Sequence, residues 1–426
     1  MIFSNVKDSD FELDKEFESK GVIYREVRLK NFGCRCKKCG TYITSIKEYR
    51  IKKFLHSIYN NAKTVIIWRQ RRFICPKCNA TRMEDDPFRS DNNKISDKTV
   101  NDILDLLKRY NVPFTQAAQY FHLSVRAIIK IFDKYVNIKR NELTSVICLD
   151  EVYFSRHRKK KYVLVIINFY NRAILDILKD RDKSTITSYL RKIDFKEKDR
   201  VLFVGIDMND NYRDIIPIFF KNATIVADSF HVVKHISKAL DDVRKRVMRK
   251  YEKNKKSDEY YLLKYRSELL FTEDILTDEF RKIKKNHHFG YELSEASLLE
   301  MSLSIDEQLK DAYEMYHQYI RFNNTDYTDT MTTINDLNEI INSFKLSDID
   351  EFMDVADTLN NWKAEIANSF IKFRGQRVSN GPIEGRNSLI KKILKIANGY
   401  SNFKRFRNKV MYSLNRYAAH SFKKDK

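Results

Sequence analysis

Short, unbroken apolar runs punctuate the chain between residues 145 and 230, each bounded by polar turn residues. Val146-Ile-Cys-Leu149, Val163-Leu-Val-Ile-Ile167 and Val201-Leu-Phe-Val-Gly-Ile206 are too short and too continuous to form one face of a helix, and they read as buried strands. The pattern predicts strands at 146–154, 162–169, 173–178, 201–206 and 223–227. Asn171-Arg172 turns the second strand into the third, and Arg156-His-Arg-Lys-Lys-Lys161 forms a strongly basic turn after the first. Helical spacing at 185–193, at 212–220 and from Ser229 alternates with the later strands.

Three strands joined by hairpins, then helix, strand, helix, strand, is the ribonuclease-H-like order. It predicts an α/β core, a mixed five-stranded sheet with flanking helices, whose first and fourth strands lie side by side. Upstream, Ser96-Asp97 can cap a helix carrying Val100, Ile103, Leu104 and Leu107 at helical spacing. After Asn111-Val-Pro113, Thr115 caps a short helix at 116–121, His122-Leu-Ser124 turns, and a further helix runs over 125–132. This is a helix-turn-helix pattern whose second helix is free to enter a major groove, with Gln116, Ser124, Arg126 and Lys130 placed to touch DNA. A structural helical linker gives the same pattern. Residues 246–365 read as an all-helical insertion. Its stripe of Ile305, Leu309, Ala312, Tyr313, Tyr316, Tyr319 and Ile320 fits a core better than a base-stacking platform.

Cysteine placement adds a metal site. Cys36-Lys-Lys-Cys39 and Cys75-Pro-Lys-Cys78 are two knuckles of the kind that holds a structural Zn2+ through four thiolates, each followed by a turn-forming residue, Gly40 or Asn79. The segment 63–74 reads as a strand leading into the second knuckle. Cys34 either substitutes for Cys36 or is a free thiol, and Cys148 is a small core residue. The expected organisation is a zinc ribbon at 1–90, a helix-turn-helix at 91–140, the first part of the core at 141–245, the insertion at 246–365, and the last part of the core with a basic tail at 366–426.

Composition narrows the partners. A formal charge of +22 points to a polyanion, although an AT-rich genome also enriches Lys, Ile and Asn. The basic groups Arg244-Lys-Arg246, Arg249-Lys250 and Lys282 with Lys284-Lys285 can follow a DNA backbone or form solvated faces. From Arg386 to Lys426, twelve Lys and Arg face one acid and interleave with Tyr400, Phe403, Phe406, Tyr412 and Tyr417. Arg386, Lys391, Lys392, Lys404, Arg405 and Arg407 are the expected phosphate contacts there. The acidic, broken start resembles no signal peptide, and no apolar run is long enough to span a bilayer. A cytoplasmic, nucleoid-associated protein is expected, with its cysteines in a reducing compartment.

Three acids supply the candidate chemistry. Asp150 and Asp207 end two of the strand runs, and Glu384 lies in Ser379-Asn-Gly-Pro-Ile-Glu-Gly385. Adjacent strands would bring the first two together. Two strand carboxylates and one helical carboxylate can hold two Mg2+ (or Mn2+) ions about 3.5–4 Å apart, activating an attacking water or 3′-hydroxyl and stabilising the leaving oxygen. Each acid also has a structural alternative: an Asx turn or helix cap for Asp207, a cap for Asp228, and a capping-box position for Glu384 behind Gly381 and Pro382.

These residues resemble the bacterial DDE-type insertion-sequence transposases of the ISL-three group. The resemblance rests on Leu149-Asp-Glu151, Ile206-Asp-Met208, Val226-Ala-Asp-Ser-Phe-His-Val-Val-Lys234, Trp362, Ser379-Asn-Gly-Pro-Ile-Glu-Gly-Arg-Asn387 with Ile390-Lys391, and Gly399-Tyr-Ser-Asn-Phe403 with Phe406-Arg407. It implies cutting of double-stranded DNA at terminal inverted repeats, joining of the freed 3′ ends to target DNA, and at least a homodimer in the active complex. Asp150 is then the first acid and Glu384 the last. Asp207 is the second on strand order, with Asp228 as the alternative and His231 supporting the site. Leu394-Lys-Ile-Ala397 is less basic than a DNA-facing helix would be. Two other readings remain: a DNA-binding regulator with an inactive core, and a general nuclease.

Overall fold

The computed structural model describes residues 11–30, 32–59, 62–90, 94–155, 159–273 and 277–421. Arg156, His157 and Arg158 of the basic turn, the first ten residues, and the last five, with their three lysines, lie outside the described residues. Two compact units emerge: residues 1–139 with 389–426, and residues 140–388.

The first unit begins with β1 (Phe11–Ser19), β2 (Val22–Leu29), the short pair β3 (Cys34–Arg35) and β4 (Tyr42–Ile43), then β5 (Ile46–Tyr59), β6 (Ala62–Ile74) and β7 (Thr81–Met83). The main sheet runs β1-β2-β6-β5, with β7 on the end of β6. Alternation along β6 sends Ile66 and Trp68 into a core with Val27, Phe54 and Phe88. The sequence pattern exposed β6 but not β1, whose start reads as acidic and broken. The structure explains the acids: Glu12 and Glu16 stand in register with Arg28 and Arg25 of β2 and pair with them across the strands.

Three helices follow: α1 (Asp97–Lys108), α2 (Phe114–Tyr120) and α3 (Val125–Tyr135). Ser96 caps α1, accepting from the Thr99 N–H, and Ser124 caps α3, accepting from the Ala127 N–H. Thr115 does not cap α2. The helix starts two residues earlier, with Pro113 in the cap position, and Phe114 packs its ring on Phe132 at 5.1 Å. The helix Phe403–Leu414, expected to belong with the catalytic core, packs in this unit instead. Tyr412 joins the core of Ile103, Leu104, Leu107, Phe121, Ile128 and Phe132. The buried Lys409 Nζ donates to Leu107 O and, at 3.0 Å, to Arg109 O at the C-terminal end of α1.

The second unit contains β8 (Val146–Tyr153), β9 (Tyr162–Asn168), β10 (Ile174–Leu178), α4 (Lys183–Leu190), α5 (Phe195–Asp199), β11 (Phe203–Ile206), α6 (Asp210–Phe219), β12 (Thr224–Ala227) and α7 (Ser229–Arg249). All five expected strands are present within a few residues, and α5 is an addition. The sheet order is β10-β9-β8-β11-β12: β8, β9 and β10 pair antiparallel, whereas β11 runs parallel to both β8 and β12. The first and fourth strands are therefore neighbours. A helical region follows α7. In it Leu309, Ala312, Tyr316, Tyr319 and Ile320 are buried as core, and Lys284–Lys285 pairs with Glu292–Leu293 as a small hairpin. The chain returns to the sheet through the helix Gly381–Ile396. Among the described residues no helix is long and apolar enough to cross a membrane.

Candidate active site

Strand register sets the site. Parallel pairing places Gly205 opposite Cys148, so Asp207 and Asp150, each two residues further on, sit at matching positions on the same face of the sheet. Ile206 pairs with Ala227, which puts Asp228 beside Asp207 at the next strand end. The carboxyls of Asp150 and Asp207 are within hydrogen-bonding reach of each other. His231, in the first turn of α7, places Nδ1 2.7 Å from Asp228 Oδ2 and 3.1 Å from Asp207 Oδ1. One ligand atom from each of Asp207, Asp228 and His231 falls within 4.8 Å of the others.

Electrostatics mark the cluster as crowded. Burial, and then the charge of Asp150, push the Asp207 carboxyl up to about 7. Burial raises Asp150 as well, against the lowering pull of the Glu151 N–H. Glu384 is raised by burial and then by the negative charge of Asp228. His231 is raised chiefly by its hydrogen bond to Asp228. Carboxylates gathered this closely, with hard oxygen donors, fit a divalent cation.

The structural alternatives for these acids can now be judged. Asn209, not Asp207, caps α6, accepting from the Asn211 N–H at 3.0 Å. Asp228 precedes α7 but accepts no capping bond with its side chain; it faces His231 instead. Gly381 is the first residue of its helix rather than the cap, and Asn380 O accepts from the N–H groups of Ile383 and Glu384. The Glu384 carboxylate has no hydrogen-bond or ion-pair partner among the described residues, so no capping box forms. Glu151, next to Asp150, is committed elsewhere: it accepts from Tyr212 Oη at 2.5 Å and pairs with Arg181.

Two asparagines of the segment 379–387 also reach the acids. Asn387 Nδ2 donates to Asp150 Oδ2 at 2.5 Å, and Asn380 Nδ2 lies 3.4 Å from Asp207 Oδ1. Their spacing around Glu384, four residues before and three after, was the available signal: Asn387 lies about one turn along the helix from Glu384, and Asn380 immediately precedes its first residue.

The cysteine site lies in the first unit. Cys36, Cys39, Cys75 and Cys78 gather their sulfurs within 4.8 Å, and Cys34 is not among them. Both knuckles have the same geometry. Gly40 N–H donates to Cys36 O and Asn79 N–H to Cys75 O, with Gly40 at φ +74° and Asn79 at φ +58°, a conformation that suits Gly and Asn. Hydrogen bonds from Thr41 pull the Cys39 thiol down to about 6. The cluster is suited to a structural zinc.

The expected DNA contacts divide. Gln116, Ser124, Arg126, Lys130, Lys391, Lys392 and Lys404 are exposed. The others are engaged within the chain: Arg405 forks onto Asp133 at 2.6 Å, Arg407 donates to Ile138 O at 2.7 Å, and Arg386 donates to Arg172 O at 2.6 Å. Of the tail aromatics among the described residues, Phe406 and Tyr412 are buried and Tyr417 is largely exposed, at 88%. Further upstream, Arg244 pairs with Asp241, Arg246 with Glu351, Lys250 with Asp306 and Lys284 with Glu279.

Comparison with known proteins identifies the family. The profile of the ISL3 (ISL-three) family of DDE transposases, described as "Transposase", matches residues 147–410. A transposase for insertion sequence element IS1001 of Bordetella parapertussis is 24% identical over 213 residues, covering 49% of this chain and 52% of the relative. Transposases for insertion sequence element IS1557 from two Mycobacterium tuberculosis strains are 26% identical over 117 residues, 28% of this chain and 24% of theirs. The chain thus spans about half the length of the first relative and about a quarter of the other two.

Proposed function

This chain belongs to the ISL3 family of DDE transposases, and on that premise we propose that it cuts double-stranded DNA at the terminal repeats of an insertion sequence and joins the freed 3′ ends to target DNA. The observation that carries the reading is the register of β8 and β11, which sets Asp150 and Asp207 side by side with Asp207 pushed up to about 7. The strand order supports a ribonuclease-H-like core.

Asp150, Asp207 and Glu384 hold the catalytic Mg2+ or Mn2+ in this reading. Bound there, the cation supplies Lewis-acid activation of the attacking oxygen and charge neutralisation at the leaving oxygen. Asp207 is favoured over Asp228 as the second acid on exposure: its side chain is 25% accessible, against 1% for Asp228. Asp228 fixes His231, and His231 orients Asp207. Glu384, with an uncommitted carboxylate, completes the donor set from the helix. The four clustered cysteines hold structural Zn2+, and α2–α3, with exposed Gln116, Arg126 and Lys130, act as the DNA-reading unit.

The test is cleavage of labelled end-repeat DNA with Mg2+. Asp150→Ala and Glu384→Ala should abolish cutting while leaving DNA binding intact. Undiminished cleavage by Asp150→Ala would sink the assignment. Tight binding to one sequence with no cleavage under any divalent ion would favour a regulator, and cutting without end preference a general nuclease.

A further inference from the structure

We infer that Asn380 and Asn387 are positioning residues that hold the two strand aspartates for cation binding, an assignment that rests on the divalent-cation reading of the site given above. The helix Gly381–Ile396 thereby brings Glu384 together with a grip on each of its partners. Asn387 Nδ2 donates to Asp150 Oδ2 at 2.5 Å. Asn380 spans more of the site: its Nδ2 lies 3.4 Å from both Asp207 Oδ1 and Leu149 O, and its backbone N–H donates to Asp228 Oδ1 at 3.3 Å. One residue thus touches β8, the acid ending β11 and the acid following β12.

Three further observations favour a positioning role over a purely structural one. Asn380 and Asn387 are 1% and 3% exposed, yet Oδ1 of each is buried without a hydrogen-bond partner. A buried amide oxygen left unpaired costs stability, so these amides are poor choices for the fold alone. Second, the neighbouring strand makes room for one of them: a Cβ on Gly205 would lie 2.6 Å from Asn380 Oδ1, and glycine permits that approach. Third, a carboxamide is a neutral donor. Lys or Arg in its place would cancel the charge that attracts a cation, and Asp or Glu would add repulsion. Asn fixes the carboxylate orientation and leaves its charge available.

Calorimetric titration of the full-length, zinc-loaded chain with Mn2+, without DNA, tests this, with Asp150→Ala as the background. Asn380→Ala and Asn387→Ala should each weaken Mn2+ binding by about 10–100-fold, the range for a residue that orients a metal ligand. Their metal-free melting temperatures should stay close to that of the wild type, since each substitution removes an unpaired buried oxygen together with a donor. Gly205→Ala crowds Asn380 from the strand side and should weaken Mn2+ binding in the same direction. Wild-type binding with variants within twofold of it overturns the positioning role alone. Variants that melt markedly earlier without metal also overturn it, because the two residues then serve the fold. A wild type that binds no Mn2+ above background overturns the cation reading and this inference with it.

Discussion

Asp207 is the residue on which the site's acid–base behaviour turns. Its carboxyl is raised from 3.8 to about 7, so the folded chain keeps a proton that the unfolded chain releases. That linkage stabilises the fold fully below about pH 4 and is lost as pH rises through about 7. The metal-free protein should therefore melt progressively earlier as pH rises across that window, and Asp207→Asn should flatten this dependence. The same variant should melt later than wild type at pH 8, because it removes a like charge beside Asp150. Cation binding requires the released carboxylate, so Mn2+ affinity should rise with pH over the same interval. A melting profile unchanged by Asp207→Asn would show that Asp207 does not hold this proton.

At the level of elements, two joints decide how the chain is arranged. The paired knuckles bring the β3–β4 turn and the end of β6 together around four clustered sulfurs, whereas Cys34 lies outside the cluster. One zinc per chain is expected by elemental analysis. Cys75→Ser should lose it and lower the melting temperature, while Cys34→Ser should retain it. The second joint is Lys409, buried where the carbonyls at the C-terminal end of α1 converge and accept from its amino group. Lys409→Ala removes the donor and leaves a cavity, and should destabilise the first unit by about 2–4 kcal/mol in chemical denaturation. This joint explains why a strongly basic segment that reads as a DNA-binding tail is partly interior: Arg405 and Arg407 tie the same helix to Asp133 and Ile138.

For the molecule as a whole, the proposed binding of DNA by a chain of formal charge +22 should depend strongly on salt. If six to ten phosphates are neutralised, raising salt from about 50 to 200 mM should weaken binding about 10³–10⁵-fold. The exposed lysines and the engaged arginines should separate in that experiment. Arg126→Ala or Lys130→Ala should each lower the salt slope by about one ion. Arg405→Ala should instead lower the melting temperature and leave the slope nearly unchanged. An equal loss of slope for Arg405 would show that its pair with Asp133 opens on DNA.

The five core strands, the cysteine knuckles and the side-by-side placing of Asp150 and Asp207 were legible in the linear pattern, because short apolar runs, doubled spacings and strand-end carboxylates are local signals. Family membership followed from the same motifs. Strand order favoured Asp207 over Asp228 as the second acid, and the fold adds a difference in exposure and a shorter contact from His231 to Asp228 than to Asp207. The sequence could not show β1, whose acids make sense only beside the arginines of β2, or the interior position of the C-terminal helix, whose lysine is stabilised by carbonyls some 300 residues away. Asn380 and Asn387 belong to the same class. Their chemistry depends on which strand each amide reaches, and only the folded chain settles that.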